Sequence, residues 1–534
     1  MPEKPEVQQI EKSAGHSLRG FGRKLINRKT MDSLDDEAAH GSFKRSLSPF
    51  DLVMVGVGAI IGTGIFVLTG QAAGANAGPA ISISFIIAAF ASALAGLSYA
   101  EMATMIPVAG SAYTYAYATL GELVSWLIGW NLILEYLVGA ATVSVGWSAY
   151  VTNLFSHVLH VNVSKAVTES PVSWDDKTSS FSVTGAGINL PAIIIVAVVT
   201  TILVFGIRES ARVNSVIVAI KVFVVLLFIF ACIKDINNDN YTPFVPPNEG
   251  VFGKYGVSGV FQAASLVFFA FIGFDAVCTT AQEAKDPKRA LPIGILGSLF
   301  ICTALYIAVC FVMTGVVNYK LLINVAAPMA VVINQTGMVW LGVIVELGAI
   351  AGLTSVILVL LMAMPRIFYA MARDGLLPRF AAYIHPKFGT PTYTTIISGV
   401  LVAILGGILP IGVLGELTSV GTLLAFFFVH VGVIILRYTS PHMQRRFRVP
   451  GPAWFLPVIG AAACIVLLCT ASTATLIRLA IWIAIGLVVY FAYGFRHSRV
   501  NNPWRYEDEA PVRHQELSKE ETQVEKVECS AESK

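Results

Sequence analysis

Four glycines, Gly56, Gly58, Gly62 and Gly64, crowd the apolar stretch Val55-Gly-Val-Gly-Ala-Ile-Ile-Gly-Thr-Gly-Ile-Phe66. Glycine in a helix interior costs about 1 kcal/mol relative to alanine. Gly62-Thr63-Gly64 therefore suits an unwound segment whose N–H and C=O groups are available to a ligand. Close packing of helices on small residues is the bland reading of the same pattern. A second apolar stretch, Phe268-Phe-Ala-Phe-Ile-Gly-Phe-Asp-Ala276, has Gly273 at mid-span and then an acid, Asp275. A helix broken at such a point offers N–H groups and partial positive charge suited to a carboxylate. Its unwound carbonyls suit an ammonium. A zwitterionic amino acid carries both groups, so one such site can clamp its two ends by charge-assisted hydrogen bonds.

Ionisable residues within apolar stretches form the second chemical signal. Lys221 stands in Ser215-Val-Ile-Val-Ala-Ile-Lys-Val-Phe-Val224, with apolar residues for two turns on either side. A lysine at membrane depth costs roughly 2.5–3.5 kcal/mol on insertion scales. Burial disfavours the charged form of an amine, so reversible deprotonation comes within reach and Lys221 reads as a proton carrier. A snorkelling lysine or a structural ion pair is the alternative. Asp275 sits at the second interruption, where it can organise the unwound segment or a coupling network. Glu135, beside Tyr136, is a candidate for the pocket or a proton route. Glu101 and Glu122 read as caps or loop partners. His430 reads as a packed histidine, and Glu346 has no assigned role.

The elements that must position these groups are transmembrane helices. Of the 534 residues, 55% are hydrophobic and 13% charged, with mean hydropathy +0.72; soluble proteins carry about 25% charged residues. The apolar runs reach the roughly 20 residues needed to cross a bilayer as helix. Twelve spans are expected, near 50–73, 79–105, 120–152, 190–207, 211–233, 257–282, 291–315, 338–365, 392–409, 416–436, 453–471 and 476–494. Gly78-Pro79, Pro191, Pro292, Pro391 and Pro450-Gly451-Pro452 punctuate them. With the N-terminus in the cytoplasm, 29 of the 36 Lys and Arg fall on that side, six lie outside and Lys221 alone remains within a span. This is the positive-inside pattern of a multi-pass cell-membrane protein with both termini cytoplasmic. The interruptions then fall in the first and sixth spans, matching positions of two five-helix halves, which points to inverted repeats with a midplane site. The polar ends, 1–49 and 497–534, are expected to be mobile cytoplasmic segments flanking repeats at 50–233 and 257–436 and two further helices at 453–494.

The chain resembles the amino acid–polyamine–organocation transporters, specifically the bacterial cationic-amino-acid-transporter branch, over about 45–495. The resemblance is carried by Gly58-Ala-Ile-Ile-Gly-Thr-Gly-Ile-Phe66, Tyr99-Ala-Glu-Met-Ala103, Pro107-Val-Ala-Gly-Ser-Ala-Tyr-Thr-Tyr115, Phe269-Ala-Phe-Ile-Gly-Phe-Asp275, Glu283-Ala-Lys-Asp-Pro-Lys-Arg-Ala-Leu-Pro-Ile-Gly294, Ala372-Arg-Asp-Gly-Leu-Leu-Pro378 and Phe447-Arg-Val-Pro-Gly451. It implies an all-α membrane protein of the leucine-transporter fold, with spans 1–5 and 6–10 as inverted repeats and helices 1 and 6 discontinuous. It also implies that the backbone at Ile61, Gly62, Thr63 and Gly64 holds a substrate carboxylate. The carbonyls of Ile60, Phe269, Ala270 and Ile272 would hold the amino group, and the Phe269 ring would close over it. In this family a lysine at the place of Lys221 substitutes for the bound cation of sodium-coupled relatives.

The expected activity is therefore proton-coupled uptake of L-amino acids by alternating access, with amino acid, protons and lipid as partners. No cofactor or metal is called for. Exchange is the strongest rival; a polyamine or organic-cation carrier ranks below it. An ATP-driven pump is disfavoured by the lack of a GxxxxGK[ST] loop. A membrane enzyme would show a His-rich or metal-ligand constellation, and the net charge of +3 does not suggest a nucleic-acid partner. Span 8, Val359-Leu-Leu-Met-Ala-Met364, is bulky and apolar, which favours small or apolar neutral substrates. The seven cysteines lack a CxxC pair and imply neither a metal site nor a disulfide framework.

Overall fold

The computed structural model describes residues 24–29 and 47–502, except 107–110, 159, 162, 176–179, 207–210, 280–283, 324, 443–444, 446 and 453. Most of both polar ends, and parts of the Pro107–Tyr115 and Glu283–Gly294 stretches, lie outside the described residues.

Helix α1 runs Pro49–Ile60. Ser48 and Asp51 form a reciprocal capping box at its start, with Pro49 in the first turn. The helix then stops, and π-helical Gly64–Leu68, α-helical Thr69–Ala72 and π-helical Ala73–Ala77 continue the segment. Gly78 takes φ 59° and separates this segment from α2, Ile81–Met105. The remaining long helices are α3 Ser111–Thr119, α4 Glu122–Val158, α5 Leu190–Val204, α6 Ala211–Cys232, α7 Gly256–Val267, α8 Pro287–Val316, α9 Pro328–Thr336, α10 Val339–Arg373, α11 Thr392–Ile408, α12 Ile411–Thr439, α13 Phe455–Cys469 and α14 Thr473–Val489. Among the described residues, each apolar segment expected from the sequence contains helix. Among the described residues, seven helices are long and apolar enough to cross a membrane; five apolar helices, among them α1, α5, α11 and α13, are shorter. A small hairpin, β1 Val172–Asp175 against β2 Ser180–Val183, departs from the all-helical expectation. It lies in the polar loop between α4 and α5, where Trp174 and Phe181 face each other across the strands.

The packing brings segments five positions apart into contact. The unwound part of the first segment meets that of the sixth, α2 packs on α8, α4 on α10, and α5 on α11. Small residues permit the approach: a Cβ on Gly96 of α2 would stand 2.8 Å from Leu299 Cδ1 on α8. Large apolar side chains such as Phe230 (70% exposed) and Phe300 (77%) cover the outer faces, as suits helices solvated by lipid.

The polar ends are not wholly loose. Residues 24–29 and 498–502 dock together at one end of the bundle. Asn27 Nδ2 donates to Asn501 Oδ1 (2.7 Å), Asn501 Nδ2 donates to the Lys24 carbonyl (3.0 Å), and Lys29 pairs with Asp374 (3.1 Å). Glu122, expected as a cap or loop partner, accepts hydroxyls from Tyr117 and Tyr490 at 3.0 Å each and from Ser498. These buried acids hold terminal segments that hydropathy alone reads as solvated.

Candidate functional site

Inside a bilayer every backbone polar group needs a partner within the protein. At the break after α1 several carbonyls find such partners. The Val57 carbonyl accepts from Ile61 N (2.9 Å) and the Gly62 carbonyl from Phe66 N (3.2 Å). Those of Gly58 and Ile61 accept from Lys221 Nζ, at 2.9 and 3.2 Å. The Ile60 carbonyl lies 2.8 Å from Tyr306 Oη. Helix α6 thus sends a buried ammonium (1% exposed) into the end of α1, and α8 sends a phenol. The lysine stem passes Gly352 on α10, where an added Cβ would sit at contact distance, 3.4 Å, from Lys221 Cγ and Cε.

On the far side of the break, Gly62, Thr63 and Gly64 precede Phe66, whose N–H bonds to the Gly62 carbonyl. The opening N–H groups of a helix have no partner within it, so this turn is available to an anion. Thr63 Oγ1 is buried and makes no hydrogen bond among the described residues. A Cβ on Gly64 would stand 2.3 Å from Ala270 Cβ, and one on Gly62 would stand 2.8 Å from Val356 Cγ2. Glycine here allows the two interrupted segments and α10 to meet.

The sixth segment breaks as the sequence suggests. Helix α7 tightens into a 3₁₀ turn, Phe268–Phe271, then turns through Gly273 (φ 114°) before the short helix Ala276–Thr279. A Cβ on Gly273 would lie 2.9 Å from the Ala59 carbonyl carbon. Asp275 organises this turn: Oδ1 accepts from Gly273 N (3.3 Å) and Oδ2 from the Tyr136 hydroxyl (3.1 Å). Ser419 on α12 bridges the other side, donating to the Leu266 carbonyl (2.8 Å) and accepting from Phe269 N (3.2 Å). The Phe269 carbonyl accepts from Ile272 N (3.0 Å), and the Ala270 carbonyl lies 2.8 Å from Tyr306 Oη. The Phe269 ring reaches α4, where a Cβ on Gly139 would stand 3.4 Å from both Phe269 Cε2 and Leu360 Cδ1.

Ile60 to Gly64, Phe269, Ala270, Ile272, Lys221 and Asp275 are thus brought to one place. Glu135 is buried one residue before Tyr136, within electrostatic reach of Asp275. The hydroxyl of its neighbour Thr422 donates to the Thr418 carbonyl, 3.2 Å away. Tyr306 and Ser419 escaped the sequence reading. Tyr306 left a faint signal, since a tyrosine deep in an apolar helix needs a partner for its hydroxyl; Ser419 left none. The remaining ionisable groups lie elsewhere. Glu101 pairs with Arg437 (Nε to Oε1, 2.9 Å) and accepts from Val449 N (2.8 Å). His430 packs on Gly460 with Nδ1 2.8 Å from Ser98 Oγ. Glu346 is buried in α10, within electrostatic reach of Tyr150, whose hydroxyl donates to the Phe66 carbonyl (2.6 Å).

Apolar helices of membrane-crossing length, two of their segments broken where backbone groups converge, and a buried ammonium at the break define a helical membrane transporter. Comparison with known proteins agrees. Residues 47–493 match the amino acid permease family model. The chain is 43% identical over 483 residues to a branched-chain amino acid permease of Bacillus subtilis, covering 90% of this chain and 99% of that one. It is 41% identical over 477 residues to a methylthioribose transporter of the same organism, covering 89% and 99%. It is 38% identical over 427 residues to a vacuolar cationic amino acid transporter of Arabidopsis thaliana, covering 78% and 68%. The chain belongs to the amino acid permease family, within the amino acid–polyamine–organocation superfamily; it is an amino acid transporter and not an enzyme.

Proposed function

We propose that this protein carries a small or apolar neutral L-amino acid across the plasma membrane by proton-coupled symport with alternating access. The observation that carries the proposal is the pair of contacts from Lys221 Nζ to the Gly58 and Ile61 carbonyls. In this reading the backbone at Ile61 to Gly64 receives the carboxylate, through the N–H groups that follow Ile61, whose own N–H bonds to the Val57 carbonyl, and the carbonyls of Ile60, Phe269, Ala270 and Ile272 receive the ammonium. A protonated Lys221 holds the end of α1; a deprotonated amine is a poorer donor and lets it go. Asp275 and Glu135 complete the coupling network, and the Phe269 ring closes over the substrate.

The same reading gives twelve crossings, spans 1–5 and 6–10 being inverted repeats at 50–233 and 257–436, with 453–494 peripheral. Contacts between segments five positions apart support it. The docking of 24–29 with 498–502 at one end supports termini on the same side, which the distribution of Lys and Arg assigns to the cytoplasm. Val356, Leu360 and Phe269 beside the breaks favour an apolar side chain, as does likeness to a permease named for branched-chain amino acids.

The test is uptake of labelled leucine into vesicles reconstituted with the protein. Accumulation should follow an imposed inward proton gradient and need no internal amino acid. Uptake only into preloaded vesicles would establish exchange instead. A thermal-shift screen of the twenty amino acids should show stabilisation by leucine, isoleucine, valine or alanine; stabilisation by arginine and lysine alone would overturn the neutral assignment.

A further inference from the structure

The Tyr306 hydroxyl occupies a position that the proposed function does not use. It comes from α8, is wholly buried, and lies 2.8 Å from the carbonyl oxygens of both Ile60 and Ala270. These belong to the two interrupted segments, and both are among the carbonyls proposed to hold the substrate's amino group. A phenol has one proton. It can donate to one of the two carbonyls at a time, so the pair together is short of a donor. Each carbonyl also has a second lone pair. The ring is held by Phe85 and Phe271, each with its centroid 5.3 Å away.

We infer that Tyr306 is a positioning residue for the substrate's ammonium group: its hydroxyl draws the Ile60 and Ala270 carbonyls together and leaves them one donor short, so that an α-ammonium supplies what they lack. Tyr306 acts through the two carbonyls and links the breaks. Substrates bearing an α-amine gain from the arrangement; a carboxylic acid of the same shape without the amine gains nothing. The inference rests on the amino-acid clamp described above.

The experiment compares wild type with Tyr306→Phe, which removes one oxygen and keeps the ring. Leucine and its des-amino counterpart, 4-methylpentanoate, are titrated as competitors of labelled leucine uptake and as thermal-shift ligands of the purified protein. Wild type should prefer leucine strongly. In Tyr306→Phe leucine should weaken about tenfold or more, the scale of one hydrogen bond to a charged group, while 4-methylpentanoate changes less than about twofold. Equal weakening of both ligands, or unchanged leucine affinity, overturns the inference. A wild type indifferent to the amine would instead overturn the amino-acid clamp itself. If Tyr306→Phe does not elute as a folded species, Tyr306→His takes its place in the same comparison. It keeps a donor on a shorter ring and is expected to weaken leucine more than 4-methylpentanoate; equal effects on both overturn the inference.

Discussion

Lys221 Nζ donates to the carbonyl oxygen of Gly58 at 2.9 Å, joining α6 to the broken end of α1. The same nitrogen reaches the Ile61 carbonyl, so one side chain serves two carbonyls that a continuous helix would have satisfied with backbone N–H groups. The contact is structural, and in the proposed cycle it is also the point at which a proton is read.

Lys221→Met should therefore have two effects. Proton-driven accumulation of leucine in reconstituted vesicles should be lost, and the thermal midpoint of the purified protein should fall. Each buried carbonyl left without a donor costs about 1–3 kcal/mol. Accumulation with an unchanged dependence on the proton gradient would falsify the coupling role.

The two breaks meet at Gly64 and Ala270. A methyl group on Gly64 would stand 2.3 Å from Ala270 Cβ, closer than real side-chain contacts allow, so the unwound segments must part. Gly64→Ala should lower leucine transport more than tenfold while surface expression persists. Gly412→Ala is the control, because nothing lies within 4 Å of its added Cβ, and it should transport as wild type does. Equal activity of the two variants would remove close contact of the breaks as a requirement.

Ser419 ties α12 to the sixth segment through the Leu266 carbonyl and the Phe269 amide. Ser419→Ala should destabilise the protein by about 1–3 kcal/mol, the cost of leaving buried backbone groups without partners. The KM for leucine should rise at the same time, since Phe269 loses its anchor. A thermal melt and an uptake titration read the two effects; a variant with wild-type values in both would show that the hydroxyl is dispensable.

Glu101 and Arg437 are both buried and joined by hydrogen bonds at the ends of α2 and α12. Arg445 Nε also lies 3.5 Å from Glu101 Oε1, so removing Arg437 takes one of two cations from the buried carboxylate, and breaking a buried pair costs up to about 3–5 kcal/mol. Arg437→Met should therefore express poorly or melt early, and Glu101→Met with Arg437→Met should recover part of the loss. A double variant less stable than Arg437→Met alone would contradict this account.

Composition and pattern were enough to read a helical membrane protein from this chain. Long apolar runs can be satisfied in lipid only as helices or closed barrels, and these runs have the length of helices. The breaks were legible too, because Gly62-Thr63-Gly64 and Gly273-Phe274-Asp275 place poor helix formers where a spanning segment should be continuous. Lys221 stood out because a charge in such a stretch needs a reason. What reaches across from other helices was not legible. Nothing in the residues around Tyr306 or Ser419 says which carbonyl lies opposite, since such contacts join positions far apart in the chain. Nor could charge patterning foresee that 24–29 and 498–502 would dock on Glu122 and Asp374, because a polar segment reads as solvated until a buried acid is found waiting for it.

Where the helices run and where two of them fail can be read along the chain, because local propensity and the bilayer act on each segment separately. Which side chains supply the backbone partners lost at those failures depends on how the helices pack. Lys221, Tyr306 and Ser419 do so because packing brings their helices within hydrogen-bonding distance of the two breaks.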